Sequence, residues 1–261
     1  MTNFLCVPVA DTNDKCLPLL TRLLNSIRDQ GYYDNGFQVI LAFDNCSRKF
    51  LGQVEGFLET HPTVIGLNHQ NDKNLNYTKN INRAFRVAYG LEAEYITALN
   101  QDCILPDVKV FKAVMERPGS IVFAAQVDDP EAVVAQTIDY AFKLTPTQKA
   151  SGFCYTMHRS VVDKIGFLDE RFPAGCDDDD LCIRAHLRNI KCLQSTLQVN
   201  HELKTRTNEE ISTTGAYTPS SLGVALKTLK RKYSVPDQVT HDQLAGWVLD
   251  NYTWVEQLKE L

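Results

Sequence analysis

The feature that most constrains this chain is a rhythm. Short, almost wholly apolar runs at 4–9, 37–43, 64–67, 95–99 and 121–125 alternate with stretches whose apolar residues recur at helical spacing. Leu17, Leu20, Leu23, Leu24 and Ile27 form the first such stretch, Leu51, Val54, Phe57 and Leu58 the second, and Ile81, Phe85 and Ala88 the third. A strand that is apolar on both faces must be covered on both faces, and helices alternating with such strands cover a parallel sheet that way. The pattern predicts an α/β fold with a mainly parallel sheet flanked by helices.

In sheets of that kind ligands sit beyond the carboxyl ends of the strands. The polar residues there are Asp11, Asp44 with Asn45, Asn68, and Asn100-Gln101-Asp102. Each is an ordinary turn former. Asp44 and Asp102, each closing a buried strand, together point to a site.

Composition removes several alternatives. At 261 residues the chain builds a core without disulfides or metals. Its eight cysteines contain no Cys-x-x-Cys pair, so they read as free thiols of a reducing compartment rather than zinc ligands. No Gly-x-Gly-x-x-Gly opens a helix, which argues against a dinucleotide-dependent dehydrogenase. The first residues lack the basic start and apolar stretch of a signal peptide, and no apolar run spans a bilayer, so the expectation is a cytoplasmic protein. A net charge of −5 disfavours nonspecific nucleic-acid binding, although Lys227, Lys230, Arg231 and Lys232 would form a local basic stripe on a helix.

The most unusual local feature is the run Asp177-Asp178-Asp179-Asp180. Adjacent carboxylates repel, so the run is costly unless solvated, placed at a helix N-terminus or used for chemistry. It lacks the spaced ligands and glycine of an EF-hand. Leu181, Ile183, Ala185 and Leu187, with Arg184 and Arg188, read as an amphipathic helix that would begin at the aspartates. A carboxylate there can act as a general base, while Asp102 with a divalent ion can hold a phosphate.

Among the histidines, His61 reads as a surface residue, His69 and His241 as loop residues, and His186 as part of the exposed or half-buried side of the helix after the aspartates. His201 ends a strand-like run and is the one placed to matter. Residues 203–221 are polar and without periodicity, which predicts a mobile loop able to close over a ligand. Helices are expected at 222–233 and 243–261, the latter carrying Trp247, Tyr252 and Trp254 as packing residues. The expected organisation is a catalytic domain over 1–202, the loop, and a helical appendage over 222–261.

These residues carry a family resemblance running from Phe4 to His201. Val7-Pro8-Val9, Asp44-Asn45-Cys46-Ser47, Asn74-Leu75-Asn76-Tyr77 with Asn82, and Asn100-Gln101-Asp102 are its first motifs in order. Ser151-Gly152-Phe153, His158-Arg159, the stretch from Ile165 to Phe172, and Asp177-Asp178-x-Asp180-Leu181-x-x-Arg184 complete the series. In their order and spacing they resemble family 2 glycosyltransferases of the GT-A, nucleotide-sugar-dependent type.

The resemblance implies a metal-dependent, inverting transfer from a UDP-, GDP- or dTDP-sugar to an acceptor hydroxyl. Asp44 would contact the base or ribose, with Pro8 and Ala10 lining the same pocket. Asn100, Gln101, Lys79 and Arg206 would also serve the donor. Asp102 and His201 would hold Mn²⁺ or Mg²⁺, and Gly152 and Asp180 would serve the acceptor or give structural support. Asp178 would be the base, but Asp177 stands where the family has Glu, which leaves the choice between the two open. Asn76 replaces a glycine, a position an asparagine in the left-handed region would satisfy. Two other readings stand beside this one: a hydroxylated DNA base as acceptor, reached through the basic stripe, and a non-catalytic module that holds a nucleotide or cation.

Overall fold

A computed structural model of the chain describes residues 2–11, 15–59, 61, 63–70, 75–137, 142–172, 175–201 and 219–251. All five apolar runs are strands. β1 (Asn3–Ala10), β2 (Phe37–Asp44), β3 (Val64–Leu67) and β4 (Tyr95–Leu99) are linked by α1 (Cys16–Asp29), α2 (Arg48–Leu58) and α3 (Tyr77–Gly90). Then come β5 (Cys103–Ile104), α4 (Val108–Met115), β6 (Ser120–Val127), α5 (Pro130–Val134) and β7 (Leu144–Pro146). β8 (Cys154–His158), α6 (Arg159–Ile165), α7 (Asp177–Leu187) and β9 (Lys191–His201) lead to α8 (Pro219–Lys232) and α9 (His241–Asn251).

The strands form one sheet in the order β3-β2-β1-β4-β8-β6-β9-β5, with β7 also paired to β9. β1 to β4 are mutually parallel. β8 runs antiparallel between β4 and β6, so β6 and its parallel neighbour β9 point the same way as the first four. Alternate residues of β1 and β2 enter two cores: Leu5, Val7, Val39 and Leu41 on one face, Phe4, Cys6, Ile40 and Ala42 on the other. Each Val, Leu, Ile or Phe among them gains roughly 1.5–3 kcal/mol on burial, which is why strands this apolar settle inside the sheet.

Buried polar side chains of α3 carry the chain toward α7. Asn82 donates to Leu168 O at 2.8 Å and accepts from Leu168 N at 3.1 Å, and Thr78 donates to Phe172 O at 2.5 Å. Asn76 caps α3 by accepting from Lys79 N at 2.9 Å with extended backbone, so its tolerance of the left-handed region is not used.

α7 departs from its expected character. Its apolar residues recur every second position, a spacing that spreads them around a helix instead of lining one face. Leu181, Cys182 and Ala185 pack into the sheet-side core, while Ile183 and Leu187 pack against Ala225, Leu229, Tyr233 and Val248 of the C-terminal helices. The helix is therefore covered on both sides and is not amphipathic. Its first-turn aspartates are not a solvated start either: Asp177, Asp179 and Asp180 are all buried.

Other corrections are smaller. His61 is buried, edge-on to Tyr33 with ring centroids 5.6 Å apart, and its backbone N–H donates to Leu58 O, the last residue of α2, at 2.9 Å. His241 opens α9 and does not sit in a loop. Residues 219–221, expected in the mobile segment, belong to α8. The remainder of that segment with Arg206, and also Asn74, Tyr252 and Trp254, lie outside the described residues. All eight cysteines are free thiols and buried. No described helix is long and apolar enough to cross a membrane.

Candidate active site

The carboxyl ends of β1, β2 and β4 lie side by side: Ala10 pairs with Asp44, and Cys6 with Ala98. Asp44 is half-buried and accepts from Leu75 N at 2.9 Å; burial raises its carboxyl pKa. Pro8 and Ala10 are half-buried beside it. Gln101 turns its amide on Ala10, accepting from its N–H at 2.8 Å and donating to its carbonyl at 3.3 Å. With both amide ends so engaged and its side chain buried, Gln101 shapes the pocket wall. Lys79 is exposed on the first turn of α3.

β4 and β9 converge next to this edge. Asp102, 1% exposed, brings Oδ1 to 3.3 Å from Nε2 of His201, which is 6% exposed. Asn100 Nδ2 is 3.1 Å from the same imidazole nitrogen. Asn100 Oδ1 and His201 Nδ1 are buried with no hydrogen-bond partner among the described residues. A carboxylate, an imidazole and a spare amide oxygen suit Mn²⁺ or Mg²⁺. Asp102 Oδ1 and His201 Nε2, 3.3 Å apart, are near enough to share one ion. The residues fit a divalent cation.

Phe153, which sequence reasoning passed over as part of a motif, ties this pair to α7. Its ring stacks on His201 with centroids 4.7 Å apart and planes 8° from parallel, and its carbonyl accepts from Asn100 N at 2.9 Å. The residue before it, Gly152, donates its N–H to Asp178 Oδ2 at 3.0 Å. One dipeptide thus touches both the candidate cation ligands and the candidate base. A Cβ on Gly152 would lie 3.2 Å from Asp178 Cβ and 3.3 Å from its Oδ2, so only glycine lets the carboxylate come this close. Gly152→Ala is expected to displace that carboxylate by a few tenths of an ångström and to lower kcat on the order of tenfold. Unchanged nucleotide affinity should accompany the loss, and an unchanged kcat would sink the idea that Gly152 sets the base.

Four successive residues of a helix point in four directions, since each step turns about 100°. The aspartate run exploits this, delivered by two left-handed residues, Gly175 at φ 80° and Cys176 at φ 60°. Asp178 faces Gly152. Asp179 Oδ2 is 2.7 Å from Nε2 of His241, in a cluster that includes Cys176. Asp180, fully buried, accepts from Arg184 Nε at 2.7 Å, Lys232 Nζ at 2.5 Å and Tyr233 OH at 2.8 Å. Asp180 is thus a strut to the C-terminal helices. Asp177 is 7% exposed. Burial first, and the neighbouring Asp178 second, push its carboxyl up to about 8; burial and then Asp179 push Asp178 up to about 6.

The expected basic stripe is not intact. Lys227 and Arg231 are exposed. Lys232 is only 3% exposed in its side chain and is held by Asp180 and by Asp169 at 2.8 Å, while Lys230 donates to Asp237 O at 2.7 Å. The stripe fails because the helix end that carries it is docked on α7.

A model of the family described as "Glycosyl transferase family 2" matches residues 7–166. No curated protein matches the sequence. Among solved structures, the chain is similar to the mannosyltransferase PcManGT from Pyrobaculum calidifontis, in complex with GDP-Man and Mn²⁺: TM-score 0.56, 15% identity, 95% of this chain and 74% of that one. A 1–349 fragment of S. aureus TarS in complex with UDP matches at TM-score 0.55 and 15% identity, covering 95% of this chain and 78% of the other. GalNAc-T7 with UDP, GalNAc and Mn²⁺ matches at TM-score 0.59 and 11% identity, covering 95% and 54%. At such identities the likeness is one of fold.

Proposed function

Because the chain belongs to glycosyl transferase family 2, and so is a glycosyltransferase with the GT-A fold, we propose that it transfers a sugar from a nucleoside-diphosphate donor to an acceptor hydroxyl by a single, inverting displacement with Asp178 as base. The observation that carries this reading is the Gly152-Phe153 dipeptide, which joins Asp178 to the Asp102–His201 pair. The ligands of the similar structures, GDP-Man, UDP and Mn²⁺, support the donor class and a divalent cation.

In this reading Asp44, Pro8 and Ala10 receive the nucleoside at the ends of β1 and β2. Lys79, exposed on the first turn of α3, would meet the diphosphate. Asp102 and His201, helped by Asn100, would hold Mn²⁺ or Mg²⁺, which when bound neutralises negative charge on the diphosphate oxygens. Asp178 takes the acceptor proton as the new bond between acceptor oxygen and anomeric carbon forms and the carbon–oxygen bond to the diphosphate breaks. Backbone donation from Gly152 to Asp178 keeps the carboxylate aimed while it is charged. Residues 1–202 would constitute the catalytic unit and 219–251 a helical brace behind α7.

The test is transfer or donor hydrolysis across a panel of UDP-, GDP- and dTDP-sugars, with chelator and with added Mn²⁺ or Mg²⁺. Activity should vanish with chelator, return with the ion, and fail to return in Asp102→Ala. Full activity of that variant in chelator would overturn the assignment of Asp102. The reading with DNA as acceptor is not favoured, because Lys232 is already engaged by carboxylates.

A further inference from the structure

Behind α7, away from the proposed donor pocket, lies a cavity of about 460 Å³. Five cationic residues line it, Lys164, Arg171, Arg184, Arg188 and Lys232, against one carboxylate, Asp169. Asp169 and the deeper Asp180 answer part of that charge: Arg171 Nη2 is 2.6 Å from Asp169, and Lys232 reaches both acids. Even with Arg188 left out of the count, four positive charges among the described residues, Lys164, Arg171, Arg184 and Lys232, face two negative ones, and an excess remains at the cavity wall. Arg184 sharpens the point. Its Nε is given to Asp180 and its Nη1 to Ile165 O, yet its buried Nη2 has no hydrogen-bond partner among the described residues.

The cavity is distinct from the donor pocket by topology. It is walled by the last turns of α6 and α7. α6 begins beyond β8 at His158, which pairs with Tyr95 at the amino end of β4, whereas the donor pocket lies past the carboxyl end of the same strand. Along α7, Arg184 is six residues from Asp178, roughly 9 Å of helix rise.

We propose that this cavity is a second, anion-binding site that takes a small phosphate-bearing molecule, a phosphate ester or pyrophosphate of two or more charges. Guanidinium groups match phosphate oxygens in planar, paired geometry, and at the buried Arg184 the attraction is less screened by water than at the exposed rim. The apolar side of the cavity, which includes Phe167, gives room for the carbon body of an ester. Because Asp180 and Arg184 share α7 with Asp178, an anion here also firms the helix that carries the proposed base.

The experiment uses the full chain in EDTA, where cation-dependent binding of a diphosphate at the donor pocket is suppressed, with inorganic pyrophosphate and inorganic phosphate as probes. Binding to the folded state raises the melting temperature. A rise of several degrees with pyrophosphate, smaller with phosphate and weakened by salt, is expected. Lys164→Glu with Arg188→Glu, both at exposed positions, should weaken affinity at least tenfold, and the neutral pair Lys164→Gln with Arg188→Gln should fall between. Asp102→Ala should keep the rise. Three outcomes overturn the proposal: no rise beyond that given by chloride at matched ionic strength, an undiminished rise in both rim variants, or loss of the rise in Asp102→Ala.

Discussion

Asp178→Asn is expected to lower sugar transfer on the order of a thousandfold while leaving nucleotide affinity unchanged. A positioned general base contributes about 10²–10⁴ in rate, and the asparagine cannot take a proton. Its Oδ1 can still accept from Gly152 N–H, while the bond that Asp178 Oδ1 accepts from Asp179 N–H is lost, so a thermal melt of the variant should accompany the assay to separate lost chemistry from lost structure. The pH profile supplies a second reading. Burial first, and the neighbouring Asp179 second, raise the Asp178 carboxyl to about 6, so its ionised form, the one the proposed base needs, is present above that value. Wild-type turnover should therefore fall as pH drops through about 6.

Burial first, and the neighbouring Asp178 second, push the Asp177 carboxyl up, which favours its neutral form and disfavours it as the base. Asp177→Asn should accordingly cost far less than Asp178→Asn, which decides between the two residues that sequence reasoning left open. Two observations would remove Asp178 from the role: transfer within tenfold of wild type in Asp178→Asn, or an acid limb that survives in that variant's residual rate.

The parallel half of the fold was legible because β1, β2 and β4 are buried on both faces, β3 is a short apolar run at the sheet edge, and each connecting helix shows one apolar stripe. β8 was not. Its five residues, CYTMH, run antiparallel in the middle of the sheet, and a sequence pattern cannot distinguish such an inserted strand from a loop. The site was legible where a carboxylate closes a buried strand, as at Asp44 and Asp102. It was illegible where the decisive group is a backbone N–H or an aromatic face, as at Gly152 and Phe153. His241 was misplaced for a related reason: nothing local to a histidine at the start of a helix announces a distant carboxylate, and its contact with Asp179 spans 62 residues.

Charge was the subtler lesson. Acids at 177–180 and bases at 227–232 suggest a chain segregated into an acidic site and a basic tail. In the fold the two groups meet. Lys232 sits over the rings of Phe172 and Tyr233 at 5.7 and 5.3 Å and reaches Asp180, so part of the apparent surface charge is an internal clasp. Charge runs separated by fifty residues say nothing of whether they face water or each other; only the docking of α8 on α7 decides it.

That clasp carries the second large effect. Asp180→Ala is expected to destabilise the folded chain by about 3–5 kcal/mol, the usual cost of removing one partner of a buried ion pair. Asp180 is fully buried, and its removal leaves Arg184 without its carboxylate and Lys232 with Asp169 alone. Tyr233, also buried, loses the acceptor for its hydroxyl. For a chain of this size a loss of 1 kcal/mol lowers Tm by about 2–4 °C, so a fall of roughly 6–20 °C should appear in a thermal melt. Lys232→Met should cost less than Asp180→Ala, because it removes a charge instead of stranding two. In an Asp180→Ala/Lys232→Met double variant the costs should fall short of additivity, as expected for residues in one network. Additive costs, or a shift of less than 2 °C in the single Asp180 variant, would show that α8 is held to α7 by Ile183, Leu187, Leu229 and their apolar neighbours alone.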